Sequence, residues 1–400
     1  VGYEMPYPND LLYDKILGCL AGGYVGASMG EPARRLGGDQ FSPEEGFLGH
    51  LEGAHYTVID KYFGDFLENP RLLPVKKRAR WHRFHNGRLW YYPEMEYPPG
   101  ATEDGAERRF ILIKAIIDKG DRVTAEDYAN AYLKYVKPEY IGYFLLPHCD
   151  GVAYENIKKY GAREAGKYFL FPGLGDVLML IHPIGIINAC NPRQAALDAF
   201  DVTQCRQWRG NSFAVDCAAA LAAAIAEAFN PDSTIDSIIE AAKAYVIEDV
   251  RELIDEAVEI VNKYKTYEDV RAVLWRKWAG FPCTYALEVL QESIALFYLF
   301  KGDPVKVMAG GTRFGRDADC LASNGGAIAG AFMGAKKIPK HFIDTVNKAW
   351  EQLRPKTIID IPMEEQALKL YEITLKIAKE SSWNYRRAYE KILRLLEIKV

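Results

Sequence analysis

Two stretches of this chain place a small residue at every fourth position, and that spacing constrains the fold more than any other feature. Gly18, Gly22, Gly26 and Gly30 form the first series, and Ala322, Gly326, Gly330 and Gly334 the second. A four-residue step returns to the same face of an α-helix. Each glycine inside a helix costs roughly 1 kcal/mol relative to alanine, so a run of them implies a compensating gain. Close approach of two backbones is the usual one. The pattern predicts two central helices in tight contact, packed on each other. The membrane reading of such stripes fails, because both helices are short and flanked by charge.

Helix-period patterns recur along the rest of the chain. They place helices at 9–29, 103–119, 124–136, 152–160, 175–189, 191–202, 212–229, 233–246, 248–264, 267–278, 283–301, 303–309, 319–334, 339–353 and, with breaks, 362–396. Capping residues mark several starts: Asp232 or Ser233, Thr266, and Asn191 followed by Pro192. Alternating strand patterns are scarce. Segment 31–100, rich in Pro, Gly, His and aromatics, reads as a loop-rich insertion with short helices, and 360–400 as a C-terminal helical extension. Of the 400 residues 49% are hydrophobic and 26% charged, ample for a large core. With no linker in view, the expectation is one all-α domain over 1–400.

A formal net charge of -4 asks for neither nucleic acid nor an anionic membrane as a partner. Seven cysteines without a CxxC pair read as buried thiols in a reducing cytosol, so a cytoplasmic protein is expected. The beginning of the chain carries no basic-then-apolar leader pattern.

Chemistry concentrates in two acidic turns. Gly315-Arg316-Asp317-Ala318-Asp319-Cys320 opens the second small-residue helix, and two Asp two residues apart in a turn can face one cation. Thr102-Glu103-Asp104 opens another helix with a hydroxyl and two carboxylates. Either turn alone is more often a helix cap. Converging carboxylates, however, repel unless a divalent ion neutralises them, and hard cations such as Mg²⁺ and Mn²⁺ take oxygen ligands.

These segments resemble the ADP-ribosylglycohydrolase family. The likeness rests on the glycine-rich helix Leu17–Pro32, the turn Thr102-Glu103-Asp104, the segment His182–Ile186, and Gly315–Gly334 with its Asp-x-Asp. It runs from about residue 14 to about 337. It implies a large orthogonal helical bundle holding one or two Mg²⁺ or Mn²⁺ ions. The implied ligands are Thr102, Glu103, Asp104, Asp317, Asp319 and Cys320, with Glu103, Asp104 and Asp317 in catalysis. Glu31, Arg34, His148, Gly315 and Arg316 are expected to touch substrate. The implied reaction is hydrolysis of an N- or O-glycosidic bond to ribose in an ADP-ribosyl conjugate, a nucleoside or a related riboside. The substrate would be a small molecule or an ADP-ribosylated protein. The alternative is a catalytically silent, crystallin-like or ligand-binding relative. Three positions depart from the family pattern. Glu103 stands where Asp is usual, Cys320 is a soft ligand where Thr or Ser is common, and Arg34 replaces a Glu, with Glu31 nearby.

Other features have plainer readings. The basic and aromatic run 75–92 is a lip for a nucleotide or a solvated loop. His82 and His85 have helical spacing but no acidic partner. His148-Cys149-Asp150 is a loop, since catalytic triads are spatial rather than sequential. His182 reads as a core histidine, Trp208-Arg209-Gly210 as packing, and Glu107 as a neighbour of the site or a solvated acid.

Overall fold

The computed structural model describes residues 7–36, 76–77, 80–83, 89–92, 95–96, 98–380 and 386–397; side chains are described over 7–30, 98–380 and 389–397. Helices carry the fold. Helix α1 spans Leu11–Leu36. Four short strands follow: β1 (Lys76–Lys77), β2 (Arg80–Arg83), β3 (Leu89–Tyr92) and β4 (Met95–Glu96). Then come α2 (Asp104–Lys119), α3 (Ala125–Tyr135), α4 (Val152–Tyr160), α5 (Ala162–Ala165), α6 (Asp176–Leu180) and α7 (His182–Ile187). They are followed by α8 (Pro192–Val202), α9 (Ala214–Ala228), α10 (Ile235–Lys243), α11 (Glu248–Tyr264), α12 (Tyr267–Trp278) and α13 (Ala286–Leu299). The last are α14 (Pro304–Phe314), α15 (Ala318–Met333), α16 (Lys340–Leu353), α17 (Met363–Glu380) and α18 (Arg386–Glu397).

The two small-residue helices pack on each other, as their spacing predicts. A Cβ added to Gly22 would lie 1.9 Å from the Gly326 carbonyl oxygen. One on Gly18 would lie 2.3 Å from that of Gly330, and one on Gly26 2.3 Å from that of Ala322. The pairing 18–330, 22–326, 26–322 makes α1 and α15 antiparallel. No side chain fits between them, so the backbones themselves are in contact. At the end of the stripe, Gly30 lies against Ala318 and Asp319. The first turn of α15 is thus held against α1.

Local signals explain several element ends. Thr234, rather than Asp232 or Ser233, caps α10, in a capping box with Ser237. Thr266 caps α12, and Asn191 caps α8 with Pro192 in its first turn. The run expected as one helix over 175–189 is two, α6 and α7, which meet at Ile181. Pro183 in the first turn of α7 has no N–H to donate, so a continuous helix would lose a bond there.

Segment 31–100 differs from expectation in two ways. Helix α1 continues through Leu36, and the aromatic run, read as a lip or a loop, contains short strands. β1 pairs antiparallel with β4, and β2 with β3, setting Trp81 opposite Tyr91 and His82 opposite Trp90. Aromatic side chains suit extended backbone. His82 is therefore not on a helix; His85 lies outside the described residues.

Nor does α17 stand apart as an appendage. The Tyr24 hydroxyl donates to Gln366 Oε1 at 2.8 Å, and the Tyr371 hydroxyl to Asp10 Oδ2 at 2.8 Å. One apolar cluster reaches from Leu12 in α1 to Leu395 in α18. All seven cysteines are buried and free of disulfides. Among the described residues, no helix is long and apolar enough to cross a membrane.

The α1–α15 contact yields a sharp expectation. Gly22→Ala gains about 1 kcal/mol of helix propensity but drives a methyl into the Gly326 backbone, an overpacking cost of about 3 kcal/mol or more. Net destabilisation, read as a lower urea midpoint or failure to fold, is expected. A variant as stable as the parent would show that the backbones do not meet there.

Candidate functional site

The antiparallel pairing of α1 and α15 presents the start of α15 at the floor of a cavity. The turn before it is unusual: Gly315 has φ +81° and Arg316 φ +52°. A left-handed arginine is uncommon and needs support. Glu288 of α13 supplies it. Arg316 Nε and Nη2 donate to the two Glu288 oxygens, the second at 2.8 Å. Nη2 also donates to the Trp278 and Phe281 carbonyls at 3.1 and 2.9 Å. Both side chains are buried. Arg316 therefore clamps the turn and is not among the residues that line the cavity. Gly315 likewise serves the turn and does not line the cavity.

Beyond this clamp, Asp317, Asp319 and Cys320 are all buried, and their ligand atoms lie within 4.8 Å of one another. Glu103, Asp104 and Asp319 form a second group of the same dimensions. Asp319 belongs to both. The two acidic turns, far apart in sequence, thus converge on one carboxylate.

Glu103 has a role of its own in the backbone. It is the N-cap of α2, and its carboxylate accepts from the Gly105 and Ala106 N–H groups at 2.5 and 3.0 Å. The cap reading and the cluster reading both hold. Burial, then the charges of Asp104 and Asp319, push its carboxyl well above the ordinary range. Thr102 is buried, and its hydroxyl accepts from Trp350 Nε1 at 3.0 Å. A hydroxyl oxygen has a second lone pair, so that bond leaves ligation open.

Asp104 continues into a buried ion network. Arg108, one turn on, reaches Asp104 at 2.5 Å and grips Asp150 with two bonds of 2.8 Å. Arg206 joins Asp150 at 3.0 Å to Asp176 at 2.6 Å. The Tyr132 hydroxyl donates to Asp150 Oδ1 at 3.0 Å. Burial opposes a charge on Asp150, but Arg108 and Arg206 outweigh it and hold its carboxyl below the usual value. Asp150, in what reads as a plain loop, is therefore structural. Neighbouring His148 lines the cavity, with its ring 5.9 Å from that of Phe171.

The cavity has a volume of about 420 Å³. Its floor includes Glu103, Asp104, Asp317 and Cys320, and Arg108 and Asp176 also reach it. Its walls are largely apolar: Leu146, Leu170, Phe171, Leu174, Met179 and Tyr285 among them. The wall loop 170–175 escaped sequence reasoning, although its Pro172-Gly173 pair is a turn signal. Gly173 N–H donates to Ser212 Oγ at 3.0 Å, and Ala286 N–H donates to the Gly173 carbonyl at 2.8 Å. Those bonds fix the loop against α13. Trp208 and Arg209 are not among the lining residues; Arg209 pairs with Asp216 at 2.8 Å.

Two buried polar residues lie behind the floor. Arg109 donates to the Met179 carbonyl at 3.0 Å and to Ser323 Oγ at 2.8 Å, and Ser323 donates to the Gly23 carbonyl at 2.7 Å. This chain ties α2 and α6 to the α1–α15 pair. His182 is a core histidine, with Nε2 2.9 Å from Asn324 Oδ1. Burial and the nearby Arg109 push its pKa well below the ordinary value, so it is neutral. Glu107 is neither solvated nor in the cavity. It accepts from the Thr357 hydroxyl at 2.5 Å and from Ile358 N–H at 2.9 Å, and burial raises its pKa to about 8. Glu31 and Arg34 lie in α1, but their side chains are outside the described residues.

The donors at the floor fit a divalent cation. Four carboxylates and a thiol form two groups that share Asp319, and the anionic oxygens are those a hard cation takes. The residues that could hold it are Glu103, Asp104, Asp317, Asp319 and Cys320.

Comparison with known proteins agrees with this architecture. A solved chain described as part of an "ADP-ribosylglycohydrolase-related protein complex" superposes with a TM-score of 0.55 at 16% identity. The match covers 91% of this chain and 99% of the other, and at that identity it speaks to the fold alone. No curated protein matches. The sequence model described as ADP-ribosylglycohydrolase matches residues 8–373, a longer span than the motifs alone suggest. The chain belongs to the ADP-ribosylglycohydrolase family.

Proposed function

We propose that this chain is a Mg²⁺- or Mn²⁺-dependent glycoside hydrolase that cleaves an N- or O-glycosidic bond to ribose. The substrate would be an ADP-ribosyl conjugate or a related riboside. The observation that carries the reading is the convergence of both acidic turns on Asp319, with Glu103, Asp104, Asp317 and Cys320 lining a cavity. Family membership supports it. A fold maintained for packing alone gains nothing from gathering four buried carboxylates, because each costs desolvation and repels the others.

Glu103, Asp104, Asp317 and Asp319 would hold one or two ions, with Thr102 and Cys320 completing the set. Such an ion, when bound, supplies positive charge to fix ribose hydroxyls and to polarise water. The protein's own groups do the rest. Arg108 holds Asp104 in place from one turn below. Asp104 orients the attacking water, and Glu103 or Asp104 takes its proton as the anomeric carbon is attacked. The floor carboxylates, Asp317 among them, offset the positive charge that grows in an oxocarbenium-like transition state. The apolar walls limit water around that charge and strengthen the interaction. His148, which lines the cavity, would touch the leaving group.

Asp319→Asn should abolish both turnover and metal-induced stabilisation. In the parent protein that stabilisation amounts to roughly 2.7 kcal/mol at a hundredfold excess over Kd. Calorimetric titration with Mn²⁺ and an assay of released ribosyl product check the two together. Wild-type turnover by the variant in chelator would overturn the reading. Absence of any Mg²⁺ or Mn²⁺ binding by the parent would favour a silent relative.

The raised carboxyl of Glu103 sets a pH dependence. A group whose folded pKa is raised stabilises the fold fully below its unfolded pKa, and that contribution is lost as pH rises through the folded value. Chelator-treated protein should therefore lose thermal stability through this group over the interval above the ordinary carboxylate range, as pH rises. Mn²⁺ competes with the protons, so its stabilising effect should grow over the same interval. A Mn²⁺-induced rise in Tm that is the same at both ends would contradict this.

A further inference from the structure

We propose that Asp317, Asp319 and Cys320 form a mixed carboxylate–thiolate position that takes a borderline divalent cation of the Zn²⁺ type. It lies beside the all-oxygen position of Glu103, Asp104 and Asp319. The inference rests on the metal-centre reading above and deepens it: the two positions share Asp319 but differ in the metal they prefer.

The argument begins with placement. Cys320 sits in the first turn of α15, three residues after Asp317, so the two follow each other on one face of the turn. Both line the cavity. The sulfur lies within 4.8 Å of ligand oxygens of Asp317 and Asp319, a spread that one ion can span. Glu103, Asp104 and Asp319 instead offer oxygen only.

Ligand softness then separates the two groups. Thiolate sulfur selects Zn²⁺ and other borderline or soft cations, whereas carboxylate oxygen alone suits Mg²⁺, Ca²⁺ and Mn²⁺. Three protein donors with room for a water or substrate oxygen are the usual equipment of an open zinc position. On ligation the thiol loses its proton to the buffer, and no oxidant or reductant is required. The remaining cavity cysteine, Cys149, belongs to neither group, which makes it a suitable control.

The test uses the full chain, stripped with a chelator and reloaded with Co²⁺, whose thiolate bonds give a near-ultraviolet charge-transfer band. The parent and Cys149→Ser should show the band. Cys320→Ser and Cys320→Thr should lose it while still binding Co²⁺ by equilibrium dialysis. Competition should show the preference for Zn²⁺ over Mg²⁺ falling at least roughly 10-fold in the Cys320 variants. Two variants of similar volume guard against a fold defect in one, and circular dichroism identifies it. Bound Co²⁺ without the band, or a band that survives loss of the Cys320 sulfur, would overturn the thiolate position and leave the oxygen site standing. No Co²⁺ binding by the parent would remove both.

Discussion

Contact between the α1 and α15 backbones is the constraint on which the rest of the structure depends. Ordinary helices keep their axes about 8–10 Å apart because side chains intervene. Here glycine faces glycine or alanine, and added methyls would collide with carbonyl oxygens. The contact closes only in one register, because a shift along either helix would set side chains where there is no room. That register brings Gly30 to the first turn of α15. The position of Asp319 is therefore decided along much of the length of two helices, far from the cavity it serves. Residues that move little are what a metal centre needs from its scaffold.

A second demand follows from gathering acids in the interior. The protein answers it with three buried arginines set against carboxylates. Arg108 and Arg206 alternate with Asp104, Asp150 and Asp176, and Arg316 is matched by Glu288. Buried ion pairs contribute little net stability, but removing one partner strands a charge at several kcal/mol. The network therefore acts more as a geometric lock than as a source of stability. It joins α2 to the loop before α4 and to the segment after α8. The cap that Glu103 provides adds a further constraint, since its carboxylate is fixed by the α2 backbone before any ligand arrives.

The sequence made the local parts of this design legible and left the distant ones hidden. Helix periodicity located α2, α4, α11 and α12 to within a residue or so, because each buries one stripe of its surface. The glycine stripes revealed a tight helix pair, since only contact justifies their cost. Both acidic turns could be read because helix N-termini favour acids, and their union was implied by family resemblance. Arg108 and Asp150, by contrast, are 42 residues apart, and no short-range rule links an arginine one turn into a helix to an aspartate in a later loop. Arg316 is expected at the substrate from the family resemblance; its left-handed backbone and the distant Glu288 instead show it clamping the turn. The strands over 76–96 escaped because aromatic and basic residues mixed without clean alternation resemble a loop.

The positions at which this chain departs from the family pattern have different consequences. Glu103 is a conservative departure. The extra methylene lets the carboxylate fold back onto the α2 N-terminus while an oxygen stays within 4.8 Å of Asp104 and Asp319, so hard-donor chemistry is kept. Cys320 changes the kind of donor itself. A hydroxyl oxygen would make the whole floor hard; sulfur makes it uneven, with Asp319 between the two halves. Asp319 would be the ligand common to both halves, and a cation held beside the thiol would differ in Lewis acidity from one held by oxygen alone. The chemical consequence of one thiol would then be to change which cations the floor can hold, with the fold unchanged.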